Sequence, residues 1–349
     1  MKPVLIQDPN PSSFSLSERF RALITLLRPH QYYKNLLVFF GIFFSRNLLR
    51  VDLWLPIILA FISLCLVSSL NYLINDFRDR EKDKFHPEKK NRPFPSGRIS
   101  TIQGFVIFFL LLVLLIILII IIPFAPIEKA IYIYPGIQES EILEPAIIIH
   151  ESKIAFVLVL GALFLTSQIY SLFLKKVVFA DIVTISVNYV WRAIAGAVLI
   201  TVSVSPWLII LCFITAMLLS LAKRKGDMAL LGVQASQHKL VFELYTPTLL
   251  DQSLATIAAI ELLAFFIYLI DRHPNETVFI VAALPLFTFS IFRFLFLVSS
   301  KNVISRKAER LFLDKQLLLT GAIIVFLFFI AIYFPDYLDR LLGIPNPKL

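Results

Sequence analysis

The densest cluster of metal-binding residue types follows an apolar stretch, in the run NYLINDFRDREKD. If a helix continues through this run, Asn71, Asn75, Asp79 and Asp83 recur every four residues and share one face, with Asp76 beside it. Clustered carboxylates repel one another and commonly serve to hold a hard cation. Mg²⁺ prefers oxygen ligands, typically one or two carboxylates with substrate phosphates and water. We therefore expect Asn75 and Asp79 to bind Mg²⁺, with Asp76 and Asp83 as candidate catalytic carboxylates.

A basic loop follows the acidic cluster and supplies groups that bind phosphate. Its cations are His86, Lys89, Lys90, Arg92 and Arg98, and Pro87, Pro93 and Gly97 restrict its shape. Carboxylates for a metal beside cations for phosphate oxygens describe a metal–diphosphate site. We expect Lys89 and Arg92 to bind substrate there. The alternative is a solvated helix end of mixed charge, which would not need Asn and Asp aligned on one face.

A second set of polar residues lies inside an apolar stretch further along the chain. Asp181, Thr184, Asn188 and Arg192 are spaced to form one stripe on a helix. An arginine within a membrane span normally faces the protein interior or a watery cavity. Arg192, and Lys175 just before this helix, are therefore candidate substrate-binding residues, and Asp181 is a candidate catalytic residue. The alternative is a structural pair between helices.

Two further groups of cations are candidates for binding an anionic substrate. Lys223 and Arg224 belong to the run AKRKGD, and Lys34 lies in RPHQYYKN. A basic cluster at a cytoplasmic helix end also follows from membrane topology alone. Lys34 could equally anchor the chain at the membrane interface. Both interpretations stay open for these three residues.

The composition indicates the solvent in which these elements fold. Apolar residues make up 58% of the 349 residues and charged residues only 16%, whereas a soluble domain carries roughly 25% charged residues. We therefore expect an all-α fold, a polytopic membrane helix bundle of about nine transmembrane helices. Runs long enough to cross a hydrocarbon core of ~30 Å lie at about 36–45, 53–75, 103–122, 154–174, 177–201, 206–222, 253–271, 277–298 and 316–334.

The distribution of lysine and arginine predicts the orientation in the membrane. With a cytoplasmic N-terminus, the loops on that side hold 24 of these residues and the opposite side holds seven, a strong positive-inside signal. The net charge of +9 is then explained by topology and anionic ligands, and nucleic-acid binding has no support. Residues 1–35 contain no short apolar core of a signal peptide, so no cleaved signal is expected. Cys65 and Cys212 fall within predicted spans and predict neither a disulfide nor a metal site.

These patterns divide the chain into three parts. We expect a cytoplasmic N-terminal segment at 1–35, a single transmembrane catalytic domain at 36–334 and an exterior tail at 335–349. Within the domain, 76–99 is the cytoplasmic loop with the acidic and basic residues, and 123–153 is a long exterior connection. A multi-pass protein of the cell (inner) membrane, with its active-site loops in the cytoplasm, is the expected location.

The motifs resemble those of a known family. NDxxDxxxD at 75–83, with RPxxSG at 92–97 behind it, is similar to the first signature of the UbiA-type prenyltransferase superfamily. That superfamily is an all-helical bundle around a cavity that opens to the lipid. Within it the chain most resembles the decaprenyl-phosphate phosphoribosyltransferase branch, over about residues 25 to 320. The resemblance rests on RPHQYYKNLLVF, YSLFLKKVVFADI, WRAIAGAV, SPWL, AKRKGD and RKAERLFLDKQLL.

The resemblance implies transfer of a 5-phosphoribosyl group from phosphoribosyl diphosphate to a polyprenyl phosphate of the decaprenyl type, with Mg²⁺ as cofactor. It implies Asn75 and Asp79 as metal ligands. The residues it implies at the phosphoribosyl donor are Lys34, Tyr72, Lys89, Lys175 and Arg192. One departure separates the branches: Ile185 stands four residues after Asp181, where prenyltransferases carry a second carboxylate. This departure favours the phosphoribosyl branch.

Two other functions stay open at this stage. A prenyltransferase of the same fold would carry the diphosphate on its lipid and use an aromatic or glycerol-phosphate acceptor. A transporter would also place charged residues in the membrane, although the chain has no internal repeat and its Asp cluster lies beside a loop. The expected partners are phosphoribosyl diphosphate, a polyprenyl phosphate and the lipid bilayer. A homo-oligomer is compatible with the sequence, which does not determine the oligomeric state.

Overall fold

The computed structural model describes residues 15–85, 89–122, 145–231, 244–274, 276–300, 314–335 and 337–343. Every regular element in these ranges is helical, as the composition predicts. Several sequence predictions concern residues outside the described ones. These are His86 in the basic loop, most of the 123–153 connection, most of the RKAERLFLDKQLL motif and the end of the 335–349 tail.

Eight helices of the described residues, α3 to α10, are long and apolar enough to cross a membrane. The α-helices are α1 (Leu16–Leu27), α2 (Phe39–Phe44), α3 (Trp54–Asp83), α4 (Thr101–Ile121), α5 (Pro145–Leu172), α6 (Ala180–Leu199), α7 (Pro206–Leu231), α8 (Pro247–Arg272), α9 (Thr277–Ser299), α10 (Lys315–Tyr333) and α11 (Tyr337–Leu341). Short 3₁₀ helices lie at Pro29–Val38, Val51–Leu53, Lys89–Asn91 and Leu174–Lys176.

The predicted span at 36–45 is the one that is not a single long helix. α1 ends where Arg28 adopts the left-handed conformation, with φ 55° and ψ 54°. Pro29 then starts a 3₁₀ helix that continues to Val38, and α2 adds six residues. Proline cannot donate the backbone hydrogen bond that would join these segments into one α-helix. This part of the chain is therefore built from three short helical pieces.

Local sequence signals fix the ends of the long helices. Ser100 and Gln103 form a reciprocal capping box at the start of α4, which satisfies two backbone groups that a helix N-terminus leaves unpaired. Thr246 caps α8 and Asp314 caps α10, each with its side chain accepting the backbone N–H three residues ahead. Between the apolar part of α3 and Asp83 the sequence has no proline or glycine that would end a helix. α3 therefore continues unbroken beyond its apolar residues.

The helices form two compact units, which we describe separately. The first unit takes its described residues from Met1–Phe43, Asn47–Ser171 and Trp191–Ser203. Here α3 packs against α1, α4 and the 3₁₀ helix at Pro29–Val38. A Cβ atom added to Gly41 would lie 2.6 Å from the backbone nitrogen of Ala197, and one added to Gly196 would overlap the Val38 carbonyl. Glycine at these two positions therefore lets the backbones of neighbouring helical segments approach closely.

The second unit takes its described residues from Phe44–Arg46, Leu172–Val190 and Val204–Leu349. Its helices α7 and α8 pack together, and so do α9 and α10. A buried cluster of apolar side chains joins the first part of α6 to α7, α8 and α9. Its members include Ile182, Leu218, Leu221, Leu250, Leu254, Ile291 and Phe294. This core holds the first turns of α6, where Asp181 lies.

Candidate active site

The acidic end of α3 is a continuous helix, as its spacing predicts. α3 runs from Trp54 to Asp83, so Asn71, Asn75, Asp79 and Asp83 do lie one turn apart along a single helix. Asp76 and Asp83 are buried, at 2% and 4% exposure. Buried carboxylates require positively charged or hydrogen-bonding partners. The structure supplies those partners from two other segments of the first unit.

Asp76 accepts hydrogen bonds from two arginines. Nη2 of Arg28 lies 2.6 Å from Oδ1 and 2.8 Å from Oδ2 of Asp76. Nη1 of Arg92 lies 2.9 Å from Oδ1. The guanidinium of Arg28 also lies over the ring of Tyr72, with Cζ 4.8 Å from the ring centroid. Tyr72, predicted at the donor site, is thus in contact with this cluster through an arginine that sequence reasoning did not select.

Asp83 holds the basic loop against the helix end. Its Oδ2 accepts a hydrogen bond of 2.8 Å from Nη1 of Arg92, and its Oδ1 lies 3.8 Å from Nζ of Lys89. A single nitrogen of Arg92 therefore contacts both Asp76 and Asp83. The geometry favours a positioning role for these two carboxylates, since each fixes a cation. Their direct participation in a reaction stays a prediction.

Asn75 and Asp79, the predicted Mg²⁺ ligands, lie in surroundings that suit this role. Oδ1 of Asn75 is buried and has no hydrogen-bond partner within the described part of the chain, although a buried carbonyl oxygen normally has one. Asp79 follows one helical turn later and is half-buried. The described residues contain no group of three or more His, Cys, Asp and Glu arranged for a metal. A site of this kind therefore needs substrate phosphates and water as further ligands, which is usual for Mg²⁺.

Arg192 is buried in the first unit and bonded to an asparagine. Its Nε donates to Oδ1 of Asn35 across 2.9 Å, and Asn35 is 1% exposed. Asn35 also donates to the Cys65 thiol across 3.3 Å. Lys34, next to Asn35, lies with Nζ 5.8 Å from the ring centroid of Tyr33. Sequence reasoning selected Lys34 and passed over Asn35, because a lone asparagine carries no spacing signal.

In the second unit, Asp181 and Arg224 form a buried ion pair. Oδ1 of Asp181 also accepts from the hydroxyl of Tyr245 at 2.9 Å, and that hydroxyl accepts the backbone N–H of Phe179 at 2.8 Å. Asp181 has no exposed surface. Burial raises the pKa of Tyr245 above its usual range, so the hydroxyl stays protonated and can donate. These contacts occupy both oxygens of Asp181.

The other predicted cations of the second unit are more accessible. Lys175 is half-buried in the 3₁₀ helix at Leu174–Lys176, and Lys223 is exposed near the end of α7. Arg224, one residue later, is 5% exposed. The sequence placed Lys223 and Arg224 in one basic cluster, whereas the structure turns one to the surface and pairs the other with Asp181. Tyr245 was not predicted, and no spacing pattern would have indicated it.

The comparisons with known proteins agree with these motifs. The UbiA prenyltransferase family matches residues 36–128, which include α3, its acidic end and α4. A solved structure of a UbiA homolog from Archaeoglobus fulgidus, bound to GPP and Mg²⁺, superposes with a TM-score of 0.58 at 17% identity, over 89% of this chain and 99% of that one. The resemblance to the UbiA superfamily is confirmed. At this identity the superposition supports the all-helical UbiA-like fold and nothing finer.

The relatives found by sequence match this chain over only part of their length. Decaprenyl-phosphate phosphoribosyltransferase of Mycolicibacterium smegmatis is 26% identical over 237 residues, 65% of this chain and 64% of that protein. The uncharacterized protein y4nM of Sinorhizobium fredii is 29% identical over 198 residues, 57% of this chain. The chain spans only 33% of that protein's length. The eight candidate spans of the described residues support a multi-pass membrane protein, and these similarities show that the chain resembles the UbiA superfamily.

Proposed function

We propose that this protein transfers a 5-phosphoribosyl group from phosphoribosyl diphosphate to a polyprenyl phosphate and releases diphosphate. The bond between ribose C1 and the diphosphate oxygen breaks, and its electron pair leaves with the diphosphate. An oxygen of the lipid phosphate forms the new bond to C1 from the opposite face. The activity that this proposal assigns is the one named for the mycobacterial relative.

The observation that carries the proposal is that both carboxylate oxygens of Asp181 already accept hydrogen bonds from the protein. A prenyltransferase of this fold would use carboxylates of a second acid-rich motif, of which only Asp181 remains in this chain. Its two oxygens accept from Arg224, Tyr245 and the backbone of Ile182. A carboxylate with these partners has little capacity left for a metal. Asn75 and Asp79 are then the metal ligands of a single acidic motif.

The residues at the end of α3 suit a sugar diphosphate. Mg²⁺ held by Asn75 and Asp79 would neutralise charge on the departing diphosphate. Arg92 is anchored through Nη1, while its Nε and Nη2 make no hydrogen bond to any residue that the structure describes. Those two groups present the planar fork that binds phosphate oxygens at two points. Lys89 and Lys34 add charge without that geometry.

The acceptor needs no general base. The second pKa of a phosphate monoester is about 6, so the lipid phosphate is largely ionised at neutral pH and is already a nucleophile. Catalysis then depends on holding two anions together and stabilising the leaving group. Cations at fixed positions meet that need. We assign Arg192 to a substrate phosphate as part of this proposal, and the same role for Lys175 and Lys223 stays a prediction from the sequence.

A two-armed transfer assay tests the proposal. The purified protein is incubated with Mg²⁺ and either labelled phosphoribosyl diphosphate plus polyprenyl phosphate, or polyprenyl diphosphate plus a labelled, water-soluble aromatic acceptor. We expect label in the lipid fraction only in the first arm, and only when the lipid phosphate is present. An Asp79→Ala variant is the matched blank. Transfer in the second arm alone would assign the chain to the prenyltransferases.

We also propose that the protein lies in the cell (inner) membrane with the acidic end of α3 facing the cytoplasm, where phosphoribosyl diphosphate is available. Single cysteines at Lys90 and Arg272, both exposed positions, test the orientation in a background without Cys65 and Cys212. An impermeant thiol reagent added outside intact cells should label the cysteine at 272 and leave the one at 90 unreacted. The opposite pattern would separate the site from the cytosolic donor.

A further inference from the structure

Arg28 is the first residue of the run RPHQYYKN and lies in the candidate site, although neither spacing nor the family resemblance predicted a role for it. It belongs to the junction between α1 and the following 3₁₀ helix, and it reaches the end of α3 through the two contacts with Asp76. Both of these contacts come from the single nitrogen Nη2. The side chain of Arg28 is 21% exposed and that of Asp76 is 2% exposed. The pair is therefore shielded from water, which strengthens the charge-assisted hydrogen bonds between them.

The backbone of Arg28 is a second, independent observation. Its φ of 55° lies in the left-handed region, which non-glycine residues seldom adopt. At the C-terminus of a helix this position is commonly glycine. A long charged side chain at a position that suits glycine suggests that the side chain itself is needed. The backbone N–H still bonds to the carbonyl of Ile24, so the cap does not depend on the side chain.

We infer that Arg28 is a positioning residue that keeps Arg92 available for the donor's diphosphate, an inference that rests on the proposed function. Asp76 and Arg92 are joined by one hydrogen bond, from Nη1 to Oδ1. Arg28 supplies the donor for Oδ2. Without Arg28, Oδ2 of this buried carboxylate would lack a donor among the described residues, where Arg92 is the remaining cation bonded to Asp76. A two-point pair between Arg92 and Asp76 would then consume the fork that should bind phosphate.

Arg28→Gly is the variant that separates this role from folding. Glycine adopts φ 55° without strain, so the end of α1 is preserved while the side chain is lost. We expect the KM for phosphoribosyl diphosphate to rise about tenfold to a hundredfold, the range for losing a charge-assisted hydrogen bond, with kcat close to that of the wild type. Arg50→Ala is the matched control, because Arg50 pairs with Asp52 in the same unit outside this cluster.

Binding of inorganic pyrophosphate with Mg²⁺, measured by calorimetry, supplies a readout that needs no turnover. Arg28→Gly should weaken this binding by a factor similar to its effect on KM, and Arg50→Ala should not. In Arg28→Gly with Asp76→Asn, no carboxylate at position 76 competes for Arg92, so much of the pyrophosphate affinity should return. A merely structural role for Arg28 would not produce that recovery.

The outcomes distinguish the inference from the proposed function. Pyrophosphate affinity that is unchanged in Arg28→Gly would overturn the inference, and so would a double variant no better than the single one. If the wild type binds pyrophosphate but transfers no phosphoribosyl group, the proposed function fails while the binding series still tests Arg28. If Arg28→Gly alone weakens binding and the double variant restores it, the positioning role stands.

Discussion

Replacing Asp181 with asparagine separates a structural carboxylate from a metal ligand. Asp181 is fully buried and pairs with Arg224, which is itself 5% exposed. Asparagine keeps an oxygen for the Tyr245 hydroxyl but removes the negative charge opposite the arginine. Breaking a buried ion pair by removing one partner costs about 3–5 kcal/mol. We expect the free energy of unfolding to fall toward the lower end of this range, because some hydrogen bonds remain.

The assay measures unfolding and magnesium dependence on the same preparation. Chemical unfolding in detergent, followed by helical circular dichroism, gives the stability, and transfer rates at several Mg²⁺ concentrations give the half-activating concentration. Asp52→Asn is the control, because Asp52 and Arg50 are 27% and 31% exposed and a pair of this kind contributes about 0–1 kcal/mol. The half-activating Mg²⁺ concentration should match the wild type in the folded fraction of both variants.

A specific result would refute this reasoning. If Asp181→Asn unfolds like the wild type but needs tenfold or more Mg²⁺, Asp181 is a metal ligand. A single acidic motif would then no longer account for the metal site, and the prenyltransferase alternative would be favoured. A further variant, Asp181→Leu with Arg224→Met, should recover stability relative to Asp181→Asn, because a buried pair can be replaced by apolar residues of similar volume.

Three further predictions follow from single contacts. Gly196→Ala should lower stability by more than 1 kcal/mol in detergent unfolding, because its Cβ would overlap the Val38 carbonyl, whereas Gly161→Ala, with open space around it, should be neutral or slightly stabilising. Asn75→Ala should abolish Mg²⁺-activated transfer without lowering the unfolding midpoint, and retained turnover would remove it from the metal site. The Arg293 guanidinium lowers the pKa of Asp314. The ionised Asp314 carboxylate therefore stabilises the fold above about pH 4, and this stabilisation is lost as the pH falls through the lowered pKa. In acid unfolding, Asp314→Asn should lack this pH-dependent loss of stability.

Helix periodicity predicted much of the candidate site before any packing was known. Asn75 and Asp79 are one turn apart on any helix, so they share a face if the helix continues past its apolar part, as α3 does. The stripe with Arg192 was predicted in the same way, and its burial agrees. These are local properties, since 3.6 residues per turn and the chemistry of a side chain do not depend on the rest of the fold.

The membrane spans were also predictable from the long apolar runs, except at 36–45. The eight candidate spans from α3 to α10 follow from hydrophobicity over lengths that cross a bilayer. At 36–45 the run was read as a span, while the structure has a 3₁₀ helix and a short α2. Pro29 was visible in the sequence, but the left-handed conformation of Arg28 that ends α1 was not.

The sequence by itself determined the all-helical membrane class and the residue types available for a metal–diphosphate site. Only the tertiary structure decided which charges neutralise each other. Arg28 meets Asp76 across 48 residues of sequence, and Arg224 meets Asp181 across 43. Pairs of this kind depend on which helices pack together and where a loop returns, and neither is encoded in local spacing. Because burial makes an unpaired charge costly, packing assigned partners to Asp76, Asp83 and Asp181, and kept the buried oxygen of Asn75 without one among the described residues.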